Sequence, residues 1–268
     1  MPPTRPAARL MLAPQYSSTA ELLAAAARRR GMRVETLPRG ADMADSRDGE
    51  DTEAHYYGGP LFAARVRDRL GLGLLEPAGD WLAELPRAFS GRAIRTATLA
   101  EARALARPAF VKPPTAKSFP AAVYGDGSGP PAGPGLPLWT PVQISEVVTW
   151  HCEVHLFLLD GEVRTGSQYA VFGRLDAVPL GGHPQRAEIL DFASRLTGAA
   201  GHTLPSAVVV DAGLMSAGGG APRWAVVEAN MAWFSNCYAA DPYAALDVVL
   251  RAAGPASRVT ERDRPFSG

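Results

Sequence analysis

Residues 207–230 read AVVVDAGLMSAGGGAPRWAVVEAN. Two apolar runs, Ala207 to Met215 and Trp224 to Ala229, flank a glycine-rich turn and predict a pair of strands. The first carries Asp211 directly after four apolar residues. The second ends Glu228-Ala229-Asn230. Side chains alternate along a strand, so Glu228 and Asn230 share a face. If the runs pair as a hairpin, Asp211 can join them. Two carboxylates and an amide oxygen form an all-oxygen set, which suits Mg²⁺ held by carboxylates together with substrate phosphates. The alternative is a group of strand-end polar residues facing solvent. For Asp211 by itself that alternative stays open. The Glu-x-Asn pair, set directly after an apolar run, favours the metal reading.

Upstream, His151 to Leu159 and Glu162 to Tyr169 predict two strands joined at Asp160-Gly161, a hairpin signal. Gln185 to Gly198 predicts an amphipathic helix, and Asp241 to Ala253 a closing helix. Ala109 to Lys112 and Pro141 to Ile144 predict short strands. Thr98 followed by Glu101 fits a capping box at the start of a helix over 98–106. Nearer the start, Arg9 to Pro14 and Met32 to Leu37 predict strands around a helix from Thr19, the expected N-cap, to Arg30, with Gly31 as its stop. That is a small open α/β layer. Gly40 to Glu53 reads as a polar loop, and Leu61 to Leu70 and Leu82 to Leu85 as helices. The expected fold is α+β, with an α/β N-terminal domain over 1–90 and a body over 91–268.

Lys112 ends a strand that reads as buried, where an unpaired ammonium is costly. It needs an anion, and a phosphate is one. The chain holds only two lysines, Lys112 and Lys117, among mostly arginine cations. Their closeness suggests that the residue type matters, although Lys117 also reads as a solvated loop lysine. Between Gln143 and Glu153, an apolar strand runs into a connector, Glu146-Val147-Val148. Its backbone can offer an N–H and a C=O to a planar heterocycle, and Glu153 can accept from a ribose hydroxyl.

These pieces resemble the ATP-grasp enzymes, over roughly Arg92 to Ala253. In D-alanine–D-alanine ligases and their relatives a strand ending Val-Lys-Pro supplies a phosphate-binding lysine, and Phe110-Val111-Lys112-Pro113 looks like it. Glu146 and Glu153 stand at the separation of the adenine hinge and the ribose carboxylate. Asp211, Glu228 and Asn230 look like the ligands of two Mg²⁺ ions. A smaller branch with one Arg and two Lys before the hinge is also similar, with Arg92 or Arg95 beside Lys112 and Lys117. The resemblance implies ATP held between two antiparallel sheets. It implies a ligase that activates the carboxylate of a small molecule or peptide as an acyl-phosphate and joins it to an amine, releasing ADP and phosphate. Two rivals are a phosphotransferase with no amine acceptor and a non-catalytic ATP-binding regulatory protein. Relatives often carry an Arg two residues after the ribose Glu, where this chain has His155. No Arg directly precedes Asp211, so Arg164 and Arg174 are the candidates for the acyl-phosphate. Gly125 to Pro137, rich in Gly and Pro, is expected to be a mobile cover over the phosphates or a passive linker.

Acidic and basic residues balance at 27 each, which leaves no electrostatic footprint for nucleic acid or an anionic membrane. No apolar run is long enough for a span. The first residues, MPPTRPAARLMLAP, lack the apolar run of a signal peptide. Cys152 and Cys237 are too few for a disulfide scaffold. A cytoplasmic protein is expected, with a homodimer as one possible state, and the heavy Ala, Arg, Gly and Pro usage looks like a high-GC bacterial coding bias. His151, Glu153 and His155 alternate and could share a zinc ion, but without the helical H-E-x-x-H spacing. The glycine tract lacks the Gly-Lys-Ser/Thr ending of a P-loop. Ser235 and Cys237 have no base nearby in sequence and read as pocket lining or packing. Trp233, Phe234 and Tyr238 read as core.

Overall fold

The computed structural model describes residues 8–39, 53–114, 119–125, 129–130 and 136–268. Its first layer holds β1 (Arg9–Leu12), α1 (Ser18–Arg29), β2 (Arg33–Thr36), β3 (Ala54–Tyr57) and α2 (Pro60–Leu70). Strands β2, β1 and β3 lie in that order and run parallel. Strand β3 is not legible in the sequence because all four of its residues are buried and nothing alternates. The N-cap of α1 is Ser17, not the expected Thr19; its side chain accepts from Ala20 N at 3.4 Å. Thr19 is buried instead, and its Oγ1 accepts from Cys237 N at 3.0 Å.

β4 (Leu72–Leu74), α3 (Trp81–Glu84) and α4 (Arg87–Ser90) lead into the smaller antiparallel sheet. It comprises β5 (Ile94–Thr98), β6 (Ala109–Lys112), β7 (Ala122–Tyr124) and β8 (Pro141–Ser145), in the order β5-β8-β6-β7. Helix α5 (Leu99–Arg103) carries the predicted capping box between Thr98 and Glu101. Leu99, Val111, Phe119, Val142 and Ile144 form this sheet's own core.

The larger antiparallel sheet has β9 (Thr149–Leu159), β10 (Glu162–Val171), β11 (Arg174–Pro179), β12 (Ala207–Ser216) and β13 (Arg223–Asn230), in the order β11-β10-β9-β12-β13. Asp160 and Gly161 turn β9 into β10 with φ of 53° and 85°, the left-handed pair that a two-residue hairpin requires. Helix α6 (Arg186–Ala200) covers one face, where Val154, Leu156, Val208 and Val210 meet Ile189, Phe192 and Leu196. On the other face Phe157, Ala207 and Val209 join Leu246 and Val249 of α7 (Pro242–Ala252) and Leu10 and Tyr56 of the first layer. Strand β12 is therefore buried from both sides, and reads as a continuous apolar run for that reason. The chain returns through β14 (Ala253–Pro255) to pair with β4. The fold is α+β, with a cleft between the two antiparallel sheets. Among the described residues no helix is long and apolar enough to cross a membrane. Lys117 and most of the glycine-rich tract over 125–137 lie outside the described residues.

Candidate nucleotide and metal site

The β12–β13 hairpin sets Asp211 directly opposite Glu228, and the register slips by one residue immediately afterwards. Such bulges re-aim side chains. Asn230 joins the two carboxylates: its Nδ2 donates to Asp211 Oδ2 at 3.2 Å and to Glu228 Oε1 at 3.1 Å. From the facing sheet, Lys112 Nζ donates to Glu228 Oε2 at 2.6 Å. The sequence-predicted triad and its lysine thus form one polar cluster where the two sheets meet.

Asp211 is almost fully buried. Burial pushes its carboxyl above the usual aspartate range, against the opposing pull of the His155 contact and Lys112. Burial also works against ionisation of Glu228, but the Lys112 ammonium and the Asn230 amide hold it below the usual range. A divalent cation beside Asp211 would relieve its buried charge. The donors fit magnesium: two carboxylates and an amide whose oxygen and nitrogen exchange by a simple flip. Among the described residues no group of three His, Cys, Asp or Glu is arranged to hold a metal, so the remaining ligands would have to come from substrate phosphates and water. The three residues of the zinc alternative go to different partners, with Glu153 accepting from Tyr169. His151 Nε2 sits 2.9 Å from Ser216 Oγ, whereas His155 Nδ1 bonds Asp211 Oδ1.

Two adjoining cavities share Lys112, Gln143 and Glu228. The first, about 420 Å³, is walled by Ile94, Phe110, Val147, Val148 and Trp150, with Glu153 and Tyr169 at its polar side. That combination suits a flat heterocycle followed by a sugar. Tyr169 Oη donates to Glu153 at 2.8 Å. Burial raises the Glu153 carboxyl above its usual range, the tyrosine bond partly opposing it. Trp150 can lie in this wall because position 213 is glycine; a Cβ there would overlap its ring. Glu146 also lines this cavity, and its carboxylate is engaged, accepting from Ala93 N at 2.8 Å and Arg87 at 3.1 Å. Glu146, Val147 and Val148 of the connector all line this cavity. The second cavity, about 570 Å³, opens on the far side of Lys112 between Glu76, Pro77, Trp81, Pro113, Phe119 and Met231.

The arginines depart from expectation. Arg92 does line the first cavity, but its Nη1 donates to Ser90 O at 3.0 Å and Val226 O at 2.7 Å, and its Nη2 to Val227 O at 3.3 Å. Its guanidinium lies over Trp150 at 4.9 Å, and burial pulls its pKa down to about 10. It is a clamp between α4 and β13 before it is a phosphate partner. Arg95 is exposed and pairs with Glu101 at 3.2 Å. Arg164 faces Asp247 of α7 at 3.8 Å, and Arg174 is exposed on the outermost strand; neither lines either cavity. Ser235 donates to Met231 O, and Cys237 is packed, its thiol pushed up to about 12 by burial. Trp233 is core as expected. Phe234 and Tyr238 are partly exposed, and Tyr238 stacks on Tyr169 at 5.2 Å.

Sequence reasoning misses Tyr169, Trp150 and Gln143. Gln143 Nε2 ties the cleft to Gly79 O at 2.8 Å. Counting back from the Asp160-Gly161 turn would place residue 168 opposite Glu153, but two irregularities along β10 bring Ala170 there. The sequence carries no sign of them.

A family model described as an ATP-grasp domain, family 2 of the clade named for one arginine and two lysines, matches residues 89–248. Among solved structures, the RimK domain ATP-grasp protein of Sphaerobacter thermophilus is 17% identical, with a TM-score of 0.52 over 91% of this chain and all of that one. The D-alanine–D-alanine ligase of Bacillus anthracis is 12% identical, with a TM-score of 0.51 over 94% and 98%. The D-cycloserine synthetase DcsG is 14% identical, with a TM-score of 0.50 over 90% and 98%. No curated protein matches the sequence.

Proposed function

The chain belongs to the ATP-grasp superfamily, in its one-arginine, two-lysine clade, and on that premise we propose that it is an ATP-dependent carboxylate–amine ligase working through an acyl-phosphate. The observation that carries this reading is the Lys112–Glu228–Asn230–Asp211 cluster, set at the junction of two cavities. The first cavity suits adenosine, with the base against Val147, Val148, Phe110 and Trp150 and the ribose on Glu153. The second leaves room for an acceptor beyond Lys112.

Asp211, Glu228 and Asn230 would hold magnesium, which when bound neutralises the phosphate oxygens and aligns the terminal phosphate. Lys112 adds a positive charge at the same place. A substrate carboxylate oxygen attacks the γ-phosphorus, the bond to the β-phosphate oxygen breaks, and ADP leaves. An amine then attacks the acyl carbon and phosphate departs, the amine giving up a proton. The protein contributes positioning and charge stabilisation, with no covalent nucleophile. The apolar walls of Pro77, Trp81, Pro113 and Phe119 keep water from an intermediate that water would destroy. A cytoplasmic setting supplies ATP and suits two free, buried thiols.

The test is incubation with ATP, magnesium and a panel of carboxylic acids in the presence of hydroxylamine. Hydroxamate together with ADP and phosphate is the expected result. A stable phosphorylated product without hydroxamate would make the protein a phosphotransferase. Nucleotide binding without ADP release across the panel would leave a regulatory ATP-binding protein.

A further inference from the structure

We propose that His155 is a positioning residue for Asp211, its Nδ1–H presetting the carboxylate that receives the divalent cation. The inference rests on the magnesium reading above and concerns a residue to which that reading gives no role.

His155 lies directly opposite Asp211 in the β9–β12 register. Both side chains are almost fully buried. Nδ1 bonds Asp211 Oδ1, and an ionised carboxylate only accepts, so the proton sits on Nδ1. The other ring nitrogen, Nε2, is buried and has no hydrogen-bond partner among the described residues. Here the single polar bond goes to one carboxylate oxygen, while Asn230 holds the other at 3.2 Å.

The ring is fixed by aromatic edges. Phe157 and Tyr238 stand at 5.4 Å between centroids and Tyr169 at 6.1 Å, all close to perpendicular. Rotation of the imidazole would displace three rings, two of which are stacked on each other. Asp211 therefore has its orientation set from both oxygens before any cation arrives. Hydrogen-bonding partners of metal ligands act in this way, and losing one typically weakens metal binding by about 10–100-fold.

The test titrates Mn²⁺ into the 268-residue chain with a non-hydrolysable ATP analogue, reading free Mn²⁺ by electron paramagnetic resonance. It compares the wild type with H155N, H155L and H155Q. Asparagine puts its amide nitrogen near the position of Nδ1. Leucine keeps the apolar packing without a donor. Glutamine sends its amide toward the Nε2 side. H155L and H155Q are expected to lose about 10–100-fold in Mn²⁺ affinity, with unchanged affinity for the analogue in EDTA. H155N is expected to stay close to the wild type despite the cavity it leaves and a lower metal-free melting temperature. Wild-type Mn²⁺ affinity in H155L, or an H155N as weak as H155L, would overturn the proposal. If H155L fails to fold, the H155N and H155Q pair carries the same decision. A wild type that takes up no Mn²⁺ would overturn the magnesium reading itself, and this inference with it.

Discussion

Lys112 Nζ stands 2.6 Å from Glu228 Oε2, linking β6 of the smaller sheet to β13 of the larger. The ammonium takes the carboxylate as its anion. On the proposed reading, nucleotide with magnesium would offer each a new partner, the phosphate for Lys112 and the cation for Glu228, and the pair would act as a latch across the cleft as well as half of a binding site. Glu228 has a depressed pKa, so the stability it contributes is present above the ordinary glutamate range and is lost as pH falls through the lowered value.

Lys112→Met opens that latch. Wild-type protein at 100 times the dissociation constant of an ATP analogue with magnesium should gain about 2.7 kcal/mol of stability. K112M should gain much less at the same concentration, and its stability should respond less to acid below the ordinary glutamate range. A melting shift in K112M equal to that of the wild type would remove Lys112 from the phosphate site.

Asp211→Asn should separate stability from function. Burial holds the Asp211 carboxyl above its ordinary range. The folded state then binds more protons than the unfolded state, so stability falls as pH rises from the ordinary aspartate value through the raised one. Above that window the cost is present in full. Asparagine removes the charge and keeps an acceptor for His155. Metal-free D211N is expected to melt a few degrees above the wild type at mildly alkaline pH, while ADP release is abolished. Equal melting temperatures would mean that the buried charge is already compensated.

Arg92 makes a contrasting prediction, because its donors go to main-chain carbonyls. Arg92→Met takes the guanidinium donors away from the Val226 and Ser90 oxygens and leaves their buried surroundings without that charge-assisted bonding. A loss of about 3 kcal/mol is expected from urea unfolding, and Arg92→Lys should not restore it, since one ammonium cannot span the same fork. A stable R92M that has lost only nucleotide binding would return Arg92 to the phosphates.

The hairpin over 207–230 is legible in the sequence because β12 is buried on both faces and because Glu-x-Asn places two polar side chains on one face of a strand. The nucleotide connector is legible for a related reason: an apolar strand breaks off at Glu146 and another begins before Glu153. Strands β3, β5, β7, β11 and β14 are not, being three to six residues long without a clear alternation. Arg92 reads as a phosphate partner and sits on carbonyls, since backbone acceptors leave no mark in a sequence. Arg164 sits at an irregularity of β10, between Val163 and Thr165, and Arg174 opens the outermost strand β11; neither placement leaves a mark in the sequence.

Gly213→Ala tests the wall of the first cavity. The Trp150 ring occupies the space that a Cβ would need. Overpacking of this kind costs about 1–3 kcal/mol, and the ring is expected to turn into the cavity. Tryptophan fluorescence should report a changed environment, and affinity for the ATP analogue should fall more than affinity for inorganic triphosphate, which needs no base pocket. Equal losses for both ligands would place the base elsewhere.

Tyr169→Phe tests the sugar contact through pH. The Glu153 carboxyl is raised first by burial, and the tyrosine hydroxyl at 2.8 Å pulls it back down. A ribose hydroxyl donates best to the ionised carboxylate. Affinity for the ATP analogue should therefore decline as pH falls through the raised Glu153 value. Removing the hydroxyl takes away the bond that favours the charged form, so Glu153 protonates at a higher pH still. The affinity profile of Y169F is expected to move toward alkaline pH while its high-pH plateau stays near that of the wild type. Glu153→Gln should flatten the profile at a low affinity. Calorimetric titration from mildly acidic to mildly alkaline pH measures all three proteins. A Y169F profile that superimposes on the wild type would mean that Glu153 does not titrate in nucleotide binding, and that the ribose is held by another group.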